Sequence, residues 1–86
     1  MIERIFWTDH ALLRLRDRGL SMLEVEDVVR EGHASRQVNR GDADWRVYGT
    51  GLDGSRFVVL YDHPALGESA FARVVSAWRL RKTNQA

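Results

Sequence analysis

The sequence predicts an α+β fold in which two N-terminal helices pack on a mainly antiparallel four-stranded sheet, in the order ααββββ. Three observations predict it. Apolar residues recur at helical spacing between Thr8 and Gly32. From residue 34 onward the period becomes two, and β-branched and aromatic residues collect between glycines. The chain has 86 residues, which suits one compact domain with one core and leaves no room for a second catalytic lobe.

The first helix is placed at about residues 9 to 18, with Thr8 ahead of it as a cap and Gly19 positioned to end it. At 100° per residue Ala11, Leu12 and Leu15 form one narrow apolar stripe, and His10, Arg14 and Arg18 form an adjacent strip. The second helix opens on a capping box, Ser21-Met22-Leu23-Glu24, in which hydroxyl and carboxylate each reach the other residue's amide. Leu20 and Val25 supply its hydrophobic staple, Met22, Val25, Val28 and Val29 its buried face, Glu26 and Arg30 an exposed pair, and Gly32 its end. Strands are expected near 35 to 39, 44 to 50, 55 to 62 and 70 to 79, with a hairpin turn at Asp53 and Gly54. Phe57-Val58-Val59-Leu60-Tyr61 is apolar on both faces and is expected in the centre of the sheet, while the polar first strand is expected at an edge. His63 to Gly67 reads as a connection, and residues 81 to 86 as a frayed tail.

Composition narrows the function classes. Cysteine is absent, which excludes a disulfide framework, a thiolate zinc site and a cysteine nucleophile, and fits a reducing compartment. No run approaches the ~18 apolar residues of a membrane span, and Met1-Ile2-Glu3-Arg4 lacks a signal-peptide pattern, so a cytoplasmic address is expected and no membrane partner. The net charge is only +1 but it is segregated: residues 21 to 31 carry one Arg against four acids, whereas residues 69 to 86 carry Arg73, Arg79, Arg81 and Lys82 with no acid.

His10 falls in the first helical turn, where the macrodipole disfavours a charged imidazolium, as a general base requires; a solvent-facing or capping histidine fits the same position. Arg14 and Arg18 follow on its strip with forked donors suited to phosphate, or to salt bridges on a solvated face. On the last strand strict alternation puts Phe71, Arg73, Val75, Ala77 and Arg79 on one face and Ala72, Val74, Ser76 and Trp78 on the other. Two guanidinium groups then share a face and require an anion or water, which makes that face a candidate for phosphodiester charge. Trp45, Trp78, Tyr48 and Tyr61 offer stacking surfaces, although so small a core needs aromatics of its own. His10, His33 and His63 show no short metal-ligand spacing, so neither a metal nor a cofactor is expected. The glycines between the strands are turn residues and open no helix, which argues against a nucleotide loop.

The stretch His10-Ala11-Leu12-Leu13-Arg14-Leu15-Arg16-Asp17-Arg18-Gly19-Leu20-Ser21, followed by a valine-rich helix, resembles the opening of domain-of-unknown-function family 4258. The closing Ala72-Arg73-Val74-Val75-Ser76-Ala77-Trp78-Arg79 is similar to the last strand of BrnT-type toxins, except that Trp78 separates Ala77 from Arg79. Both groups resemble RelE-type ribonucleases, which set two helices against a small antiparallel sheet and cleave RNA without a metal. The resemblance implies a toxin of a toxin–antitoxin pair, a metal-independent endoribonuclease acting by 2′-hydroxyl attack. Its partners would be RNA, ribosome-associated mRNA included, and a cognate antitoxin. It implies His10 as base or acid, Arg73 and Arg79 as phosphate stabilisers, Ser76 as a positioner and Arg18 as an RNA-backbone clamp, and Arg14, from its place on the same strip, is expected to clamp beside Arg18. A second expectation needs no chemistry: a non-catalytic interaction module whose arginines receive an acidic partner segment.

Overall fold

A computed structural model describes residues 1–80; the predicted tail at 81–86 lies outside the described residues. The element order is β1 (Arg4–Trp7), α1 (Asp9–Asp17), α2 (Met22–Gly32), a 3-10 turn (His33–Ser35), β2 (Gln37–Val38), β3 (Trp45–Thr50), β4 (Arg56–Asp62) and β5 (Phe71–Arg79). The strands form one sheet in the order β1-β5-β4-β3-β2. The α+β class holds, but the sheet has five strands and the order is βααββββ. The additional strand, Arg4–Trp7, pairs in parallel with β5 through Arg4 and Phe71 to Trp7 and Val74. Four residues are too few to show a period-two pattern by themselves, and only the distant β5 selects this pairing. The strand expected at 35 to 39 shortens to Gln37–Val38 because His33–Ser35 continues the helix as a 3-10 turn. It lies at the edge, and β4 lies at the centre, as their polarity predicts.

Both helix starts are capped as the sequence predicts: Thr8 Oγ1 accepts from the Ala11 amide at 3.0 Å and Ser21 Oγ from the Glu24 amide at 3.1 Å. The second half of the capping box is not made, since Glu24 Oε2 accepts from the Leu52 amide at 3.3 Å and ties the β3–β4 turn to α2. Gly19, at φ +66°, ends α1 in the left-handed region, with the Gly19 amide donating to Arg16 O and the Leu20 amide to Leu15 O.

Both helices pack on one face of the sheet. Ala11, Leu15, Leu20, Val25, Val28 and Val29 meet Val47, Phe57, Val59, Tyr61, Ala72, Val74 and Ala77, with Ile2, Ile5 and Trp7 closing the β1 side. Met22 and Leu12, expected inside, are about two-fifths exposed at the helix–helix groove, and Leu60 is half-buried on the other face. Two glycines bring α2 close to β3. A Cβ on Gly32 would strike Val47, and one on Gly49 would strike Val28.

Candidate nucleic-acid interface

The register defines what the helix-free face carries. Tyr48, Val58 and Trp78 stand opposite one another across β3, β4 and β5, and Arg46, Leu60 and Ser76 form the next row. Asp62 and Arg73 form a third row, continued by Phe6 on β1. Val58 is buried beneath Tyr48 and Trp78, which stay 38% and 36% exposed, so two ring faces flank an apolar floor.

The predicted common face for Arg73 and Arg79 does not occur. A register shift at Leu60 and Tyr61 pairs them with Ser76 and Val74 and leaves Val75 as the extra residue of a β-bulge. One inserted residue inverts the alternation beyond it. Arg73, Ser76 and Trp78 therefore share the helix-free face, while Ala77 and Arg79 turn to the helix side.

On the helix-free face, Arg73 Nη2 donates to Asp62 Oδ2 at 2.9 Å. Arg79 is committed to the fold: Nη1 donates to the Arg18 carbonyl at 2.7 Å and the Gly19 carbonyl at 3.4 Å, Nε donates to Ser55 Oγ at 3.2 Å, and Nη2 lies 3.5 Å from Asp53 Oδ2. The Ser55 hydroxyl and amide hold the Asp53 carboxyl below its usual range, and Arg79 adds to the effect. β1 pairs only with Phe71–Val74, so among the described residues no strand lies beside the outer edge of β5 beyond Val74. Arg18 fills that edge, with Nη1 donating to Ala77 O at 2.7 Å and reaching Ser76 Oγ at 3.5 Å. Its guanidinium carbon lies 5.9 Å from the Trp78 ring centroid. Thus Arg18, Ser76, Trp78 and Arg79 meet at the α1–β5 junction, Arg73 stands on the open face, and His10 and Arg14 are exposed on α1 with no side-chain hydrogen bond to that group among the described residues.

A second polar cluster lies at the C-terminal end of β4. His33 Nδ1 and Tyr61 Oη are 2.7 Å apart, the His33 and His63 rings meet edge to face at 4.5 Å, and His63 Nε2 lies 2.7 Å from Ser69 O. Arg36 lies over the Trp45 ring at 4.2 Å and donates from Nη1 to His33 O. Burial pushes Tyr61 up to about 12. Burial, then Arg36 and His63, lowers His33 from 6.5 to about 4. Sequence reading missed this group because His33 and Tyr61 are 28 residues apart and no local motif joins them. The only signal was their position, one just beyond α2 and the other on a central strand. Among the described residues no group of three His, Cys, Asp or Glu is placed to hold a metal ion, and no helix is long and apolar enough to cross a membrane.

No family model, curated protein or solved structure matches the chain.

Proposed function

We propose that this chain binds single-stranded RNA on its helix-free sheet face and cleaves it without a metal, as the toxin of a toxin–antitoxin pair. The observation that carries the reading is the row Tyr48, Val58 and Trp78, with Arg18 at the Trp78 ring, Arg46 in the next row and Arg73 in the row after it. Aromatic faces stack on bases of any sequence, and guanidinium groups beside them take the backbone phosphates. Arg46 strengthens it, because its buried Nε has no hydrogen-bond partner among the described residues. In this reading Arg73 and Arg18 hold phosphate, Ser76 positions the strand between them, Arg14 extends the basic surface along α1, and Arg79 acts by fixing Arg18. The chemistry is transfer to the 2′-oxygen: a base removes the hydroxyl proton, the oxygen attacks phosphorus, and the cut leaves a cyclic-phosphate or 3′-phosphate end.

The test is cleavage of single-stranded RNA, with and without ribosomes, in the presence of chelator. Product ends of the stated type and growth arrest on expression support the reading; neither cleavage nor toxicity rejects it. His10→Ala decides the base nominated by the sequence, with a loss of about 10² to 10⁴-fold if His10 accepts the proton and no change if another group does.

A groove of about 590 Å³ between α1 and α2 favours a second reading, an interaction module. Leu12, Leu13 and Met22 line it beside Arg16, which suits an amphipathic partner helix with acidic flanks, the antitoxin on the first reading and the sole ligand on this one. Retention of partner binding by a chain that cuts no RNA selects it.

A further inference from the structure

The cluster at the end of β4 has an internal hydrogen-bond logic. The Ser69 carbonyl can only accept, so His63 Nε2 is the protonated nitrogen and His63 Nδ1 carries the free lone pair. Tyr61 is fully buried, and donating its hydroxyl to His33 Nδ1 satisfies its only hydrogen; neutral His33 then carries its proton on Nε2. Two imidazoles in edge-to-face contact thus present one acceptor and one donor, each fixed in its tautomer by a partner on the opposite ring nitrogen. The Arg36 guanidinium adds a fixed positive charge, held against Trp45, and its buried Nε is without a hydrogen-bond partner among the described residues. His33 also borders an open pocket of about 400 Å³ with Met1, Ile2, Arg30 and Ala34. The cluster lies at the C-terminal end of β4 on the helix side of the sheet, where Tyr61 pairs with Trp45, while Asp62 and its partner Arg73 stand on the opposite face at the same end of the strand.

We propose that His33, His63, Tyr61 and Arg36 form a phosphodiester site for RNA, in which His63 rather than His10 takes the 2′-hydroxyl proton. The inference rests on the ribonuclease reading and deepens it. The proton moves from the 2′-oxygen to His63 Nδ1 as the 2′-oxygen to phosphorus bond forms. The bond from phosphorus to the 5′-oxygen breaks, the leaving oxygen takes a proton from solvent water, and His63 returns its own to solvent. His33 Nε2–H and Arg36 hydrogen-bond to the phosphoryl oxygens as charge builds on them.

The experiment pairs two readouts on the full chain. Cleavage of a single-stranded RNA in chelator is measured for the wild type, His63→Asn, His33→Gln and His10→Ala, with thermal unfolding and RNA affinity as controls. The imidazole proton NMR signals are followed on titration with cytidine 3′-monophosphate. Asn at position 63 removes the imidazole that would accept the proton, and the thermal unfolding of the same variant reports separately whether loss of the Ser69 contact disturbs the fold. The expected result is a loss of about 100-fold or more for His63→Asn, a smaller loss for His33→Gln, near-unchanged cleavage for His10→Ala, and RNA affinity preserved throughout. The nucleotide should shift the His33 and His63 signals and leave His10 in place. Wild-type cleavage that His63→Asn retains overturns this site and leaves the ribonuclease reading intact. Shifted signals without any cleavage keep the phosphate site and overturn the ribonuclease reading and the proton transfer with it. Signals that do not move overturn the site, whether or not RNA is cut.

Discussion

Arg18 and Arg79 hold each other through the backbone: Arg79 Nη1 donates to the Arg18 carbonyl at 2.7 Å, and Arg18 Nη1 donates to the carbonyl of Ala77, two residues before Arg79, also at 2.7 Å. One guanidinium satisfies a carbonyl at the end of α1, and the other satisfies a carbonyl on the strand edge that β1 leaves uncovered. Two arginines that look like phosphate clamps in the sequence are thereby also the joint between helix and sheet.

That joint predicts coupled losses. Arg79→Ala and Arg18→Ala should each lower stability by about 1 to 2 kcal/mol, the range for charge-assisted hydrogen bonds at a partly exposed site. The double variant should lose less than the two losses added, since each removal already loosens the other contact. Urea unfolding of the four proteins checks it, and strict additivity would count against the joint.

The close seat of α2 on β3 predicts a paired effect at Gly49. Gly49→Ala should destabilise by about 1 to 3 kcal/mol, because the new methyl meets Val28. Val28→Ala in the same chain should recover part of that loss by removing the obstructing branch. Thermal melts of the two single variants and the double variant give the answer, and a double variant weaker than both by the full sum would contradict the contact.

His33 predicts a defined pH window. Its folded value of about 4 lies below the ordinary 6.5, so between those values the unfolded chain holds a proton that the folded chain does not. Stability should therefore fall as pH drops from 6.5 towards 4, and the histidine's contribution should be constant above and below that window. Comparing urea midpoints near neutrality and near pH ~5, the drop should be smaller in His33→Gln than in the wild type. Equal drops would mean that His33 titrates as freely folded as unfolded.

The sheet face predicts two separable effects on RNA. Trp78→Ala should weaken binding by about 1 to 3 kcal/mol at every salt concentration, as loss of one stacked base would. Arg73→Ala should instead reduce the salt slope by about one unit. Affinity measured from low to moderate salt separates them, and an unchanged slope for Arg73→Ala would remove that residue from the phosphate path.

Features that rest on near neighbours are legible in the chain alone. Thr8 and Ser21 start helices because their hydroxyls reach amides three residues on, Gly19 ends one because it accepts positive φ, and Phe57 to Tyr61 run through the centre because both sides of that stretch are apolar. Features that depend on distant partners emerge only when the segments pack together. β1 is four residues long and exists as a strand through β5. The bulge at Val75 arises where β5 meets β4, and it inverts an alternation that the sequence presents as unbroken from Phe71 to Arg79. His33, Tyr61 and His63 come together only when the end of α2 settles against the end of β4. The physical reason is common to all three: capping and periodicity are written over three or four residues, whereas register and side-chain clustering come from packing between segments far apart in the chain.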